Sequence, residues 1–210
     1  MKRFVLRRSV LRMVLRELMG GPMSPQAEHV NIDGHDVVEV TFTAEQVGLI
    51  LKKAAEVHKD PNLPNKIGGP FDRWFTGFLG QVAFFIYAFD DFERGYSQLQ
   101  SGYKPDNHDC IFRGWNFDVK TRGKPWHDLL MIPQYQWAHH HDYYIGCRLQ
   151  SQNPYVVQIW GYATREEFER VKPENAWGHG LTRAIFLKDL HPIIELKDLK
   201  PKSSYLTIER

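Results

Sequence analysis

Residues 71–89 are the most strongly patterned segment of the chain, and they constrain the fold most. Their large apolar side chains recur at helical spacing and then cover nearly the whole circumference. A helix that is apolar on all sides lies in the interior of a domain. Gln81 is its one strongly polar side chain after Thr76, and a buried amide needs hydrogen-bond partners. The segment therefore predicts a central buried helix, with Gln81 bonded to a backbone group or water, or else serving a functional site.

The composition indicates a single folded domain, which we predict over residues 35–210. The chain has 210 residues, 42% of them hydrophobic, enough to build a core, and no apolar run is long enough to span a membrane. Cys110 and Cys147 both fall in predicted strands, which favours buried free thiols over a disulfide. That pattern is typical of a reducing, intracellular compartment.

Residues 1–22 predict a separate basic amphipathic helix. Residues 1–21 hold six Lys or Arg against one Glu, a net charge of +5, which leaves the remainder at −3 within a total of +2. The body of the chain is therefore not a globally basic nucleic-acid binder, and DNA contacts must come from local patches. The helix can be packed on the domain, contact DNA, or act as an organellar targeting segment over residues 1–20.

Residues 109–121 predict a β-hairpin, because two short apolar runs flank a turn that contains glycine. Side chains alternate along a strand, so Asp118 and Lys120 share one face. If Asp109 opens the first strand, the hairpin brings it beside Asp118. Two close carboxylates repel, and such a pair attracts a cation, for which oxygen ligands favour Mg²⁺ or Mn²⁺. Asp106 is an alternative to Asp109, and an exposed ion pair is the alternative for Asp118 with Lys120.

Asp109 and the triplet Asp118-Val119-Lys120 resemble the signature of the PD-(D/E)XK nuclease superfamily, the restriction-endonuclease-like fold. Residues 77–83 resemble the first helix of that family, with Gln81 where the family usually has Glu. The resemblance covers roughly residues 40–165. It implies an α/β fold with a central mixed β-sheet flanked by helices and an αβββαβ core.

The resemblance also implies a function, that of a metal-dependent DNA nuclease. Asp109, Asp118 and the backbone carbonyl of Val119 would hold Mg²⁺ or Mn²⁺. Lys120 would orient or deprotonate the attacking water and stabilise the transition state. Gln81 would be a neutral ligand or water-orienting group that cannot act as a base. A protein of the same fold that binds nucleic acid with little catalysis, and a structural or assembly subunit, are the alternatives.

The residues after the triplet are candidates for contacting DNA. A hydroxyl and two cations at a strand end can bind phosphate oxygens, although a solvated loop would have the same composition. The candidates are Thr121, Arg122, Lys124 and, in the hairpin turn, Arg113. DNA is the expected partner, a homodimer is possible, and the expected location is the cytoplasm (that of a host cell if the source is viral).

The rest of the chain predicts further strands and two capped helices. His139-His140-His141 predicts a polar loop rather than a zinc site, because adjacent residues of an extended chain point apart and no further ligand follows at zinc spacing. Thr-x-x-Gln and Thr-x-x-Glu capping boxes predict helices over residues 44–59 and 165–171. The predicted strands are residues 36–42, 127–136, 143–149, 155–163 and 183–187.

Overall fold

The computed structural model describes residues 26–59, 71–99, 109–175 and 180–202. The predicted N-terminal helix and Asp106 lie outside these residues. In the described ranges, none of the helices combines the length and the apolar character needed to cross a membrane.

The described residues form eight strands and four α-helices. The strands are β1 (Gln26–Ile32), β2 (His35–Thr41), β3 (Cys110–Phe112), β4 (Trp115–Arg122), β5 (Leu129–Pro133), β6 (Tyr143–Gln152), β7 (Tyr155–Thr164) and β8 (Thr182–Phe186). The helices are α1 (Ala44–His58), α2 (Phe71–Phe89), α3 (Phe92–Gln98) and α4 (Arg165–Arg170).

Six of these strands form one mixed sheet in the order β1-β2-β7-β6-β4-β3, and β5 pairs with β8 in a second, two-stranded sheet. β4 and β6 are parallel, and the other neighbouring strands are antiparallel. The predicted α/β class with a mixed sheet is therefore confirmed. The finer αβββαβ core stays a prediction, because the connection from β4 to β6 contains β5 and a 3₁₀ turn, Gln134–Gln136, instead of an α-helix.

Local signals account for the ends of several elements. Thr43 caps α1 and Thr164 caps α4, each in the predicted capping box with the residue three positions on. Arg113 and Gly114 have φ of 51° and 80°, the left-handed backbone that a tight hairpin turn between β3 and β4 requires.

Helix α2 packs on one face of the sheet and is as buried as its sequence predicts. Leu79, Val82 and Ala83 have no exposed surface, and the ring of Phe84 lies 5.6 Å from that of Phe117 in β4. At Gly80 the helix approaches β4 so closely that a Cβ would overlap the hydroxyl of Thr121. A helix seated this closely fixes the position of β4, and with it the residues that β4 carries.

The opposite face of the sheet is covered by a second apolar cluster. Leu130 of β5 and Leu187, just after β8, pack there with Tyr144 of β6 and Trp160 of β7. Since Phe117 belongs to the α2 side, the alternation along β4 turns Asp118 towards the β5–β8 side.

Two predicted boundaries differ from the structure. The sheet begins at Gln26, before the predicted domain start at residue 35, because β1 pairs along its full length with β2. The predicted strand over residues 127–136 is shorter, Leu129–Pro133, and it belongs to the second sheet. Cys110 and Cys147 are buried and free, as predicted.

Candidate functional site

The β3–β4 hairpin places Asp109 against the centre of β4. Its backbone N–H donates to the carbonyl of Phe117 at 3.1 Å, so it continues the pairing just before β3 begins. Its carboxylate then accepts a hydrogen bond from the backbone N–H of Val119 at 2.7 Å. Beyond the end of β3, the Asp109 carboxylate therefore bonds the edge of β4 where a paired strand would otherwise lie. This contact fixes the Asp109 side chain beside Asp118.

Asp118 and Lys120 form a buried ion pair next to this contact. The Lys120 ammonium lies 2.8 Å from Oδ1 and 2.7 Å from Oδ2 of Asp118. Asp118 is 5% exposed, whereas the Lys120 side chain is 25% exposed. The pair therefore has a dry carboxylate and a lysine side chain that is partly exposed.

Burial and mutual charge shift the pKa of all three groups. Burial, followed by the charge of Asp118, raises the pKa of Asp109 to about 7. Burial also acts to raise the pKa of Asp118, but Lys120 and then His141 outweigh it, and that pKa is lowered. Burial acts to lower the pKa of Lys120, but Asp118 and Asp109 outweigh it and raise that pKa. Two carboxylates with one ammonium leave a negative charge that a proton or a cation can neutralise.

Gln81 of α2 reaches this site through the backbone. Its Nε2 donates to the main-chain carbonyl of Asp109 at 2.9 Å, and the residue is 8% exposed. The amide is therefore bonded to a backbone group, as the first interpretation predicts, and that group belongs to Asp109. A role for Gln81 in a functional site stays a prediction. The bond ties the central helix to the start of the hairpin.

The donor set suits a hard divalent cation, although its side chains are few. In the described ranges, no three or more His, Cys, Asp and Glu residues are grouped to hold a metal. The acidic side chains that could hold a divalent cation at this site are thus Asp109 and Asp118. A third oxygen is the Val119 carbonyl, because the N–H and C=O of one strand residue face the same edge and this N–H faces Asp109. Carboxylate and carbonyl oxygens are what Mg²⁺ and Mn²⁺ prefer.

Known proteins offer no guide to this site. Comparison of the chain with protein-family models, curated proteins and solved structures finds no match. The resemblance to PD-(D/E)XK nucleases rests on the hairpin and on residues 77–83, in which Gln81 departs from the usual Glu, so the function must be argued from their geometry.

The predicted phosphate-binding residues divide into three groups. Arg122 ends β4 two residues after Lys120, and Lys124 lies on the exposed surface of the loop that follows. Thr121 instead turns its hydroxyl towards Gly80 of α2, where it is buried without a hydrogen-bond partner among the described residues. Arg113 lies in the turn at the far end of the hairpin, where its guanidinium donates to the backbone carbonyl of Leu199. The structure therefore does not bring Arg113 to the site.

Three residues near the site were not predicted from the sequence to belong to it. His141 is 6% exposed and close enough to Asp118 to lower its pKa. Tyr144 pairs in parallel register with Asp118 and is fully buried. Tyr135, in the 3₁₀ turn, is close enough to Lys120 to raise its pKa. The three histidines at residues 139–141 do form the predicted loop. The parallel pairing of β4 with β6, which brings this loop to Asp118, has no local sequence pattern from which it could be predicted.

Proposed function

We propose that the chain is a metal-dependent DNA nuclease that hydrolyses phosphodiester bonds at the Asp109–Asp118–Lys120 site. The observation that carries this proposal is the arrangement on β4: an acid held by the Val119 amide, beside a second acid paired with a partly exposed lysine. An αβββαβ core of the restriction-endonuclease type belongs to the same proposal, and so does DNA as the partner. A homodimer stays a prediction.

Each side chain has a role that its contacts support. Mg²⁺ or Mn²⁺, held by Asp109, Asp118 and the Val119 carbonyl, would offset the charge of the scissile phosphate and acidify a bound water. Lys120 has three donors, and the two Asp118 oxygens leave it capacity to donate to a water or a phosphate oxygen. Gln81 positions Asp109 through its backbone carbonyl and cannot take up a proton itself.

A second candidate is a nucleic-acid-binding protein of the same fold with little or no catalysis. Two observations favour it. Gln81 is neutral where the family usually has an acid, and Lys120 is already bonded to the carboxylate that a metal would need. Both proteins would bind DNA, and only the first would cut it.

Cleavage of supercoiled plasmid separates the two candidates. We expect the parent to nick or linearise plasmid with Mg²⁺ or Mn²⁺ and not with EDTA, and Asp118→Asn to lose this activity while staying folded. Asp142→Asn is the matched control, because Asp142 also forms an ion pair with a lysine, Lys202, at 2.8 Å. If Asp118→Asn cuts as fast as the control, the assigned site is wrong. If no variant cuts but the parent binds DNA, the second candidate is supported.

A further inference from the structure

A cluster of cations surrounds the end of β4 beyond Lys120. The basic cluster consists of Arg73 of α2, Arg122 of β4, Lys124 of the following loop and Arg148 of β6. Arg122 and Arg148 are register partners in the parallel pair. The loop after β4 lies against the start of α2, because a Cβ on Gly123 would be 3.8 Å from Thr76, one helical turn beyond Arg73. Burial, followed by the charge of Arg73, lowers the pKa of Arg122. The charge of Asp128 acts to raise the pKa of Arg122 and of Arg148, and Arg148 also donates to Oε1 of Gln158 at 2.8 Å.

Polar atoms in this region also lack protein partners. Nε of Arg122 and Nδ1 of His127 are buried, and neither has a hydrogen-bond partner among the described residues. Burial, then Arg122 and Lys124, lowers the pKa of His127. Arg122 as a whole is only half-buried, and a guanidinium beside other cations is a group that binds phosphate oxygens.

Two aromatic rings lie exposed beside the cluster. The aromatic patch consists of Trp126, 69% exposed, and Phe186, 47% exposed. Trp126 lies between Lys124, whose ammonium is 5.1 Å from its ring, and β5. Phe186 pairs with Leu129 at the start of β5, and Lys188 lies 5.6 Å from its ring. Exposed aromatic rings next to cations are the combination on which unpaired bases stack.

We propose that the basic cluster and the aromatic patch bind an unpaired strand of nucleic acid, with phosphates on the cations and bases stacked on the exposed rings. Duplex DNA offers phosphates, but its bases are stacked on each other and cannot stack on the exposed rings. The part concerning substrate rests on the proposed function: the strand cut at Lys120 would be single-stranded at the adjoining patch. The binding itself does not depend on cleavage.

Fluorescence anisotropy with a labelled oligonucleotide tests the binding in EDTA, where no cleavage is expected. The arms are single-stranded DNA, its duplex, and single-stranded RNA of the same sequence. We expect the parent to bind the single strand more tightly than the duplex. Trp126→Ala should weaken single-strand binding about 5- to 100-fold and change duplex binding by less than about twofold. Trp126→Phe, which keeps a ring, should retain most of the affinity.

Leu51→Ala is the control for loss of an exposed apolar side chain, because Leu51 is 43% exposed on α1. The inference is overturned if Trp126→Ala binds like Leu51→Ala, or if it weakens duplex and single strand equally. Tighter binding of RNA than of DNA would support the stacking surface and identify RNA as the strand. Plasmid cleavage that needs Asp118 without any Trp126 effect would keep the nuclease and reject this inference. Selective single-strand binding, without cleavage by any variant, would support this inference and reject the nuclease.

Discussion

The side-chain amide of Gln81 donates a hydrogen bond to the backbone carbonyl of Asp109 at 2.9 Å. The central helix α2 therefore holds Asp109, the candidate catalytic residue, through the main chain of Asp109. A donor is required at this position. Gln81→Glu should therefore lose the bond and place a third negative charge near Asp109 and Asp118, at a cost of about 1–3 kcal/mol in the metal-free protein. Added Mg²⁺ should recover that stability by mass action.

Gln81→Leu separates the amide from the charge. It keeps the apolar packing of α2 but leaves the Asp109 carbonyl without this donor, so it should weaken or end cleavage with less harm to the core. Thermal unfolding of the parent and both variants, with and without Mg²⁺, checks the pair. Equal melting of Gln81→Glu in both conditions, together with cleavage by Gln81→Leu, would show that Gln81 is an ordinary satisfied core amide.

The pH dependence of stability should carry the signature of Asp109. Its pKa is raised from 3.8 to about 7 in the folded protein. Because the unfolded chain releases this proton more easily than the folded protein does, the free energy of unfolding depends on pH. The contribution of Asp109 to that free energy is fully present below about pH 4 and is lost as pH rises through about 7. Asp109→Asn should remove this loss, which is on the order of a few kcal/mol. Urea unfolding in EDTA near pH 5 and near pH 8 measures it, and parallel profiles for parent and variant would contradict the assignment.

Mg²⁺ binding should show the opposite trend with pH. The proton on Asp109 must leave before its carboxylate can bind a cation, so Mg²⁺ affinity should rise between about pH 5 and pH 8 and then level off. Calorimetric titration at several pH values measures this. Affinity that does not change over that range would mean that Asp109 is not a ligand.

Loss of Lys120 should be costly, because it leaves Asp118 buried without its counter-charge. Lys120→Met should destabilise the protein by about 3 kcal/mol. Lys202→Met is the control: its partner Asp142 has a 25% exposed side chain, so its loss should cost about 1 kcal/mol or less. Urea unfolding of both variants gives the comparison, and similar values would indicate that Asp118 is better solvated than its burial implies.

Gly80 sets the distance between α2 and β4. Gly80→Ala should cost about 1–3 kcal/mol, because the new Cβ would overlap the Thr121 side chain. Gly77→Ala is the matched control in the same helix. A Cβ there meets nothing within 4 Å, so the change should stabilise by up to about 1 kcal/mol through helix propensity. Thr121→Ala should relieve part of the Gly80→Ala cost in the double variant, and an additive result would place the strain elsewhere.

Elements with a strong local pattern were predictable from the sequence. The apolar period of Phe71–Phe89 and the turn at Gly114 are local signals, and both the helix and the hairpin are found where they were predicted. β1 was missed because two of its inward positions, Gln26 and Glu28, are polar, as edge strands allow. Its apolar alternation is too weak to distinguish it from a loop.

Relationships between distant segments could not be predicted from the sequence. The contact between Gln81 and the backbone of Asp109 depends on how far α2 sits above β4, which side-chain types alone do not reveal. Likewise, His141 comes near Asp118 through the parallel register of β4 with β6, and such pairing has no short-range signal. The displacement of Arg113 from the site follows from the length of the hairpin.

The strand order of the main sheet has a consequence for how the protein is synthesised. β7 and β6 are its two central strands, yet both follow β1, β2, β3 and β4 along the chain. On the ribosome, β2 and β4 therefore each keep an unpaired edge until residues 143–164 emerge, because their partners on that side are β7 and β6. Nascent chains that stop before residue 143 are consequently exposed to aggregation, and a chaperone that shields these edges would raise the yield of folded protein.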